Sequence, residues 1–342
     1  MAALSMSYDS DSLEPGVSLR EALGLFSLRS RLRESLLALR GERLVPPSRF
    51  GPSSLALLRP RIAWPLWRGR PYLPRKVILT CLFNHRQTPA ERGWSVRRTQ
   101  VEDYRGQQLS YDSHNGTDLS VPVGTPVLAP APALVAHISD EYNRGGLKIL
   151  LDHGEGLMTT SAHLARSLVE VGQVLRRGER MALSGYSGLD GLSTFPFGVP
   201  HVHFNTWLDG VPVDPFPRGL EPSLWRAGEM PRPWGGEGKG SAPEPFEPSE
   251  FSAAALEASI ASCRCDRTRL HLESIPALDR RAAETLFQQN YYPTRFARRV
   301  PIYVGHHPRR PRLDLPFPRA RFDGAVFVDA LDRAQPPGGG AF

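Results

Sequence analysis

The chemistry that this chain can perform is concentrated in its histidines. In Pro200-His201-Val202-His203-Phe204 two imidazoles stand one residue apart among apolar neighbours. Side chains alternate across a strand, so the spacing predicts His201 and His203 on one face and Val202 and Phe204 on the other. Two imidazoles side by side suit either a metal site or proton transfer. A second element is His114-Asn115-Gly116-Thr117-Asp118. Asn-Gly favours a turn, and a tight turn would bring an imidazole and a carboxylate to one cation. A third is Ser161-Ala162-His163-Leu164, whose imidazole among small and apolar residues equally suits simple packing.

The order of these elements and of the motifs between them is more specific than any one of them. From Ser113 to Pro215 the chain carries H-N-G-T-D-L, V-G-T-P-V-L-A-P, D-H-G (152–154) and S-A-H-L. V-G-Q-V-L-R-R-G (171–178), G-Y-S-G (185–188), P-H-V-H-F and D-G-V-P-V-D-P (209–215) follow. This succession resembles the lysostaphin-like (LytM-type) zinc endopeptidases, peptidoglycan-cutting metallopeptidases with a duplicated-hybrid-motif β core. The resemblance implies Zn2+ as cofactor, with His114, Asp118 and His203 as its ligands. It also implies that His163 and His201 are catalytic histidines that do not bind metal. Two His and one Asp leave a coordination position for water, as catalytic zinc requires. The chain departs from the family pattern in three places. Ser161 stands where Tyr usually precedes the Ala-His pair, Asn205 stands where Glu usually follows H-x-H-F, and the stretch 189–199 is long. That stretch is expected to rim the cleft. Some family members have lost ligands and activate other wall enzymes, but all five residues are present here.

Other motifs carry less. His153 in D-H-G is expected to support a turn, His137 to be packed or exposed on a strand, and His306 and His307 to lie in a solvated loop. Cys263, Cys265 and His271 lack a fourth ligand. Gly235–Ser241 imitates a phosphate loop without the Ser/Thr or the strand-loop-helix context. G-Y-S-G-L lacks the last glycine of a nucleophile elbow. H-E-x-x-H is absent.

The elements that must position these residues are short. Strand-like runs occur at 76–83, 133–138, 147–152, 161–164, 181–185 and 201–208, and Asp209-Gly210 signals a hairpin. With 33 prolines and 31 glycines in 342 residues, the chain suits short strands and turns rather than a helical bundle. The expected fold is mainly β, an antiparallel sandwich core of the duplicated-hybrid-motif type with helical and irregular extensions. Three regions follow: an arm over 1–74, the β domain over 75–220 and an extension of open role over 221–342. Residues 1–17 read as a disordered start. Ser18-Leu-Arg-Glu21 is a capping box, and a helix is expected from there to Arg40, ending at Gly41. Its Leu19, Leu23, Phe26, Leu32 and Leu36 share a face, for docking on the domain or for lying on anionic lipid. Residues 45–74 read as a Pro/Arg-rich linker and 221–250 as a second one. Residues 252–262 and 276–289 read as helices and 300–330 as extended.

Charge and cysteine content narrow the partners. Residues 1–100 hold 17 basic and 7 acidic side chains, and residues 101–220 hold 8 and 13. A basic arm on an acidic domain favours peripheral contact with an anionic surface. Arginines interleaved with Trp64 and Trp67 come with no nucleic-acid motif, and nucleic acid is not expected as a partner. Three cysteines make no disulfide framework. No run of about 20 apolar residues spans a membrane, and no secretory signal is visible. The expected activity is zinc-dependent hydrolysis of peptide bonds in peptidoglycan cross-links or related short peptides. The alternative is an inactive peptidoglycan-binding or amidase-activating module of the same fold. The resemblance implies a place in the cell envelope or outside the cell, whereas the absent signal points to the cytoplasm.

Overall fold

The computed structural model describes residues 16–236 and 244–334. The first fifteen residues of the start expected to be disordered, and most of the stretch 235–241, lie outside the described residues. In chain order the elements are α1 (Leu19–Ala22), α2 (Leu28–Arg40), α3 (Pro60–Trp67), β1 (Lys76–Cys81), β2 (Thr117–Ser120) and β3 (Pro126–Leu128). They continue with β4 (Ala133–Glu141), β5 (Gly146–Asp152), β6 (Leu157–Ser167), β7 (Val174–Leu175), β8 (Arg180–Ser184) and α4 (Leu189–Thr194). After β9 (His201–Leu208) and β10 (Val211–Val213) come α5 (Ala253–Ala261), α6 (Asp266–Glu273), α7 (Leu278–Tyr291), β11 (Gly324–Phe327) and α8 (Val328–Ala334).

The strands form one sheet in the order β11-β1-β2-β9-β6-β5-β4-β7, with β10 added to β9 and β3 to β8. The sheet forks at β6. Its first half pairs with β9 and its last residues pair with β8, so β3 and β8 fold over the sheet and enclose a core. Leu119, Val202 and Phe204 point into that core from β2 and β9. The hairpin at Asp209-Gly210 closes β9 on β10 with both residues at positive φ, 49° and 79°. The expected antiparallel core is present, and it is extended by one parallel pair, β11 on β1, because the tail returns to the sheet edge.

A second apolar cluster lies on the opposite face. Leu150, Met158 and Trp207 of β5, β6 and β9 pack there against Leu256, Ile260, Leu272, Ala283 and Leu286 of α5, α6 and α7. Strands buried on both faces need apolar residues in both registers, and β5 supplies them as Ile149-Leu150-Leu151. Trp207 shares its strand face with His201 and His203. The C-terminal helices therefore cover the same face that carries the paired histidines.

Several expectations change. The helix over 18–40 is two helices. Ser18 caps the first, accepting from Glu21 N at 3.3 Å, but Gly24 and Ser27 sit at φ 66° and 55° and break the run. Gly41 ends the second as expected. The apolar face is not docked, apart from buried Leu23. Leu28, Leu32, Leu36 and Leu39 of α2 are 68%, 64%, 40% and 58% exposed, while Arg31 turns inward to pair with Asp140 Oδ2 at 2.5 Å. Residues 45–74 are not irregular throughout. Pro60 begins α3, where its missing N–H costs nothing, and burial of Ile62, Ala63 and Leu66 holds the helix despite Pro65. Helix α6 was not expected, and 300–330 contains only the short β11 as strand. Trp225, within the stretch read as a second linker, is fully buried and stacks on Phe204 with ring centroids 5.5 Å apart.

The supporting histidines find partners. Buried His153 lies 3.0 Å from Pro132 O and 2.8 Å from Thr159 Oγ1. His137 Nδ1 lies 3.0 Å from Glu284 Oε2. His306 and His307 both pair with Asp209, and only His306 is solvated.

Two outcomes follow. Trp225→Ala should lower stability by about 3–5 kcal/mol in urea unfolding, because residues after 220 share the core. Burial also pushes the His153 pKa down to about 3, against about 6.5 in the unfolded chain. The unfolded state then binds the extra proton, so stability falls as pH drops from about 6.5 toward 3. His153→Gln should flatten this slope by roughly one proton in unfolding titrations across that window.

Candidate metal centre and active site

The site is a row of residues across four strands. In the register of β1, β2, β9 and β6, Cys81 faces Asp118, Asp118 faces His203, and His203 faces Ala162. Cross-strand partners point to the same side of a sheet, so the core-facing alternation of Leu119, Val202 and Phe204 sends Asp118, His201 and His203 to the other face. His114 joins them from the turn before β2.

Three donor atoms converge. His114 Nε2 lies 3.0 Å from Asp118 Oδ1, His203 Nδ1 lies 2.8 Å from the same oxygen, and the two nitrogens are 3.1 Å apart. Tetrahedral zinc with N and O ligands at about 2.0–2.1 Å separates its donors by roughly 3.3 Å. The triangle is slightly tighter and of the right chemistry, so the residues fit the metal. His114 Nδ1 lies 2.6 Å from Leu82 O. Donation there directs Nε2 at the triangle, and the proton that Nε2 gives to Asp118 without a metal would leave as an ion binds.

Gly116 permits the close approach of the turn to β9. A Cβ at this position would lie 2.8 Å from His203 Nε2 and 2.8 Å from Phe204 O. Asn205 lies on the histidine face of β9. Its side-chain amide donates to Asn115 O at 2.9 Å and sits 3.1 Å from His203 Nε2, at the position where the family pattern has Glu.

Two further imidazoles border the triangle. His163 Nδ1 lies 2.8 Å from Ser187 O, and His201 Nδ1 lies 2.7 Å from Val199 O. Donation to these carbonyls leaves each Nε2 with a lone pair. The rings are 4.9 Å apart, and His201 Nε2 lies 3.5 Å from Asp118 Oδ1. His163 is aimed by a bulge. Between the pairs Leu147–Leu164 and Ile149–Ser161, β6 has one residue more than β5, and His163 takes φ 61°. Non-glycine residues in this region carry strain and are enriched at functional sites. Tyr186 packs edge-on against His163 at 5.1 Å and tilted on His201 at 4.6 Å.

Electrostatics follow from burial. Desolvation alone would raise the Asp118 pKa, but His114 and His201 and the hydrogen bonds from His114 and His203 hold it well below the usual carboxylate range. Desolvation opposes charge on His114, yet Asp118 outweighs it and holds its pKa well above normal. Burial pushes His163 well below its usual value, with His201 and His203 adding to the effect.

All five residues expected from the sequence come together. Sequence reasoning missed Cys81, whose thiol groups with His114 and Asp118 with all three ligand atoms within 4.8 Å of one another. Burial raises its pKa, which keeps it a neutral thiol, and the His203 nitrogen closes a tighter triangle. Only the β1–β2 register reveals this cysteine. Tyr186, packed on the rings of His163 and His201, was also missed. The stretch 189–199 does rim the cleft: α4 brings Asp190 and Thr194 to a cavity of about 120 Å3 that includes His163 and His201. A larger cavity of about 280 Å3 is lined by His163 and His203.

The family model of peptidase family M23 matches residues 112–215. An uncharacterized metalloprotease of Haemophilus influenzae is 40% identical over 102 residues, 30% of this chain and 20% of the relative. The peptidoglycan DD-endopeptidase ShyA of Vibrio cholerae is 35% identical over 101 residues, 30% of this chain and 22% of the relative. The chain thus spans well under two thirds of these curated relatives. Among solved structures, a zinc-containing peptidase from Vibrio cholerae aligns at 26% identity with a TM-score of 0.31, over 41% of this chain and 38% of the other.

Gly116→Ala should displace the His203 ring and weaken zinc retention by about 10-fold or more. Competition with a chromophoric chelator measures this, and circular dichroism should show the fold retained.

Proposed function

We propose that residues 112–215, which match the model of peptidase family M23, carry a zinc-dependent endopeptidase acting on peptidoglycan cross-links or related short peptides. One observation supports this reading above the others: three donors of the right chemistry form a triangle of 2.8–3.1 Å beside the imidazoles of His163 and His201. His114, Asp118 and His203 would hold the ion. Bound zinc supplies a water with a pKa lowered to about 7 and polarises a carbonyl.

The chain's own residues do the rest. One of His163 and His201 accepts the water proton at Nε2 and returns it to the leaving amine. The other, when protonated at Nε2, donates to the oxyanion. Ser187 O and Val199 O fix both rings, so neither must reorient during the reaction. The two cavities that His163 lines give room for peptide beside the scissile bond. Retention of all five residues weighs against the inactive, amidase-activating alternative. The substrate would place the protein at the cell envelope.

A second proposal concerns α2. Its exposed leucine stripe is flanked by exposed Arg29, Arg33 and Arg40, a combination suited to an anionic surface. Sedimentation with anionic vesicles should retain the chain, zwitterionic vesicles should not, and Leu32→Ser with Leu36→Ser should abolish the binding.

For the catalytic proposal, purified peptidoglycan is digested with and without chelator and the fragments are analysed by mass. Wild type should cut only with metal. His114→Ala and Asp118→Ala should lose both zinc and cutting. His163→Ala should keep zinc and lose turnover by about 10²–10⁴-fold. Full cutting by metal-free protein would refute the assignment.

A further inference from the structure

The larger cavity contains a guanidinium that the mechanism above does not use. Arg144 lies in the turn between β4 and β5 and lines the same cavity as His163 and His203. Among the described residues no carboxylate lies within ion-pair distance of it, and its Nε is buried without a hydrogen-bond partner. Its surroundings are aromatic: the guanidinium carbon stands 5.9 Å from the Trp94 ring centroid and 5.8 Å from that of Tyr292. The Nδ2 of neighbouring Asn143, in the same cavity, is also buried and unpaired. Such donors are costly to leave unmatched.

The turn is rigid and tied to the catalytic face. Gly145 and Gly146 take φ of 80° and 63°. The Gly145 carbonyl accepts from His163 N at 2.8 Å. Buried Lys148 donates from Nζ to Arg144 O at 2.7 Å and to Gly146 O at 2.9 Å. The backbone that carries Arg144 is thus tied to the strand that carries His163. Glu141 and Asp190 are the nearby acids and Arg295 the nearby cation in its field, and none of them pairs with it.

We propose that Arg144, with Asn143 beside it, receives a free carboxylate of the peptide substrate, so that the site selects stem peptides bearing a carboxylate close to the scissile bond over neutral ones. A guanidinium presents two parallel N–H groups to a carboxylate, and a cavity of about 280 Å3 accommodates little more than the residues flanking one bond. This inference rests on the peptidase reading of the same site but is tested apart from it.

The probes are cross-linked stem peptides released from purified peptidoglycan, as free acids and after carbodiimide-mediated amidation. Binding of each to the full chain kept metal-free by chelator is followed by calorimetry, and cleavage by zinc-loaded chain is followed separately. The free acids should bind about 10-fold or more tightly than the amides. Arg144→Met should remove that preference, and Arg144→Lys should restore part of it. Equal binding of acid and amide by wild type, or an unchanged preference in a folded Arg144→Met variant, would overturn the proposal. If the acid is preferred but neither peptide is cut with zinc present, the Arg144 assignment stands and the hydrolytic reading fails.

Discussion

A single buried carboxylate organises this protein. Asp118 Oδ1 lies within 3.5 Å of ring nitrogens from His114, His201 and His203. A charge so far from water is tolerable only when surrounded by donors or cations. The register of β2 against β9 meets that condition by setting Asp118 directly opposite His203. A one-residue slip would send Asp118 to the apolar core and Leu119 to the site. The apolar alternation of Leu119, Val202 and Phe204 therefore fixes the chemistry of the opposite face as firmly as it fixes the core.

The rest of the chain encloses that face. The arm reaches it through α1, whose Ala22 carbonyl accepts from Tyr186 N at 2.8 Å. The segment after α2 walls the larger cavity with Val45, Pro46 and Phe50. From the other end, α7 covers Trp207 and extends Tyr291 to within 3.3 Å of Asn205 Oδ1. Enclosure lowers the local dielectric, which strengthens every charge interaction in the site. It also leaves a cavity of about 280 Å3 beside the histidines.

Backbone strain at His163 serves position. His163 in the left-handed region is held by the bulge in β6, by Gly145 O on its N–H and by Ser187 O on its ring. Lys148 secures the neighbouring turn. The catalytic face and the proposed carboxylate site therefore share one rigid β5–β6 framework.

Much of this was legible in the sequence. His114, Asp118, His163, His201 and His203 were identified from residue type, alternation and the order of motifs. The β1, β5 and β9 strands and the Asp209-Gly210 hairpin were visible as well, because period-two patterning and turn chemistry are local properties. The placement of Cys81 and of Arg144 beside the histidines was not legible. Each depends on a neighbour distant in sequence, set by strand register or by cavity walls from both ends of the chain. The split of the helix at Gly24 and the outward turn of Leu32 and Leu36 were also hidden. Helical periodicity shows which residues share a face, but not whether the rest of the protein has surface left to cover it. The sequence by itself determined which groups could do chemistry. Tertiary structure alone decided which of them meet, because convergence depends on long-range strand pairing and on which faces remain unburied.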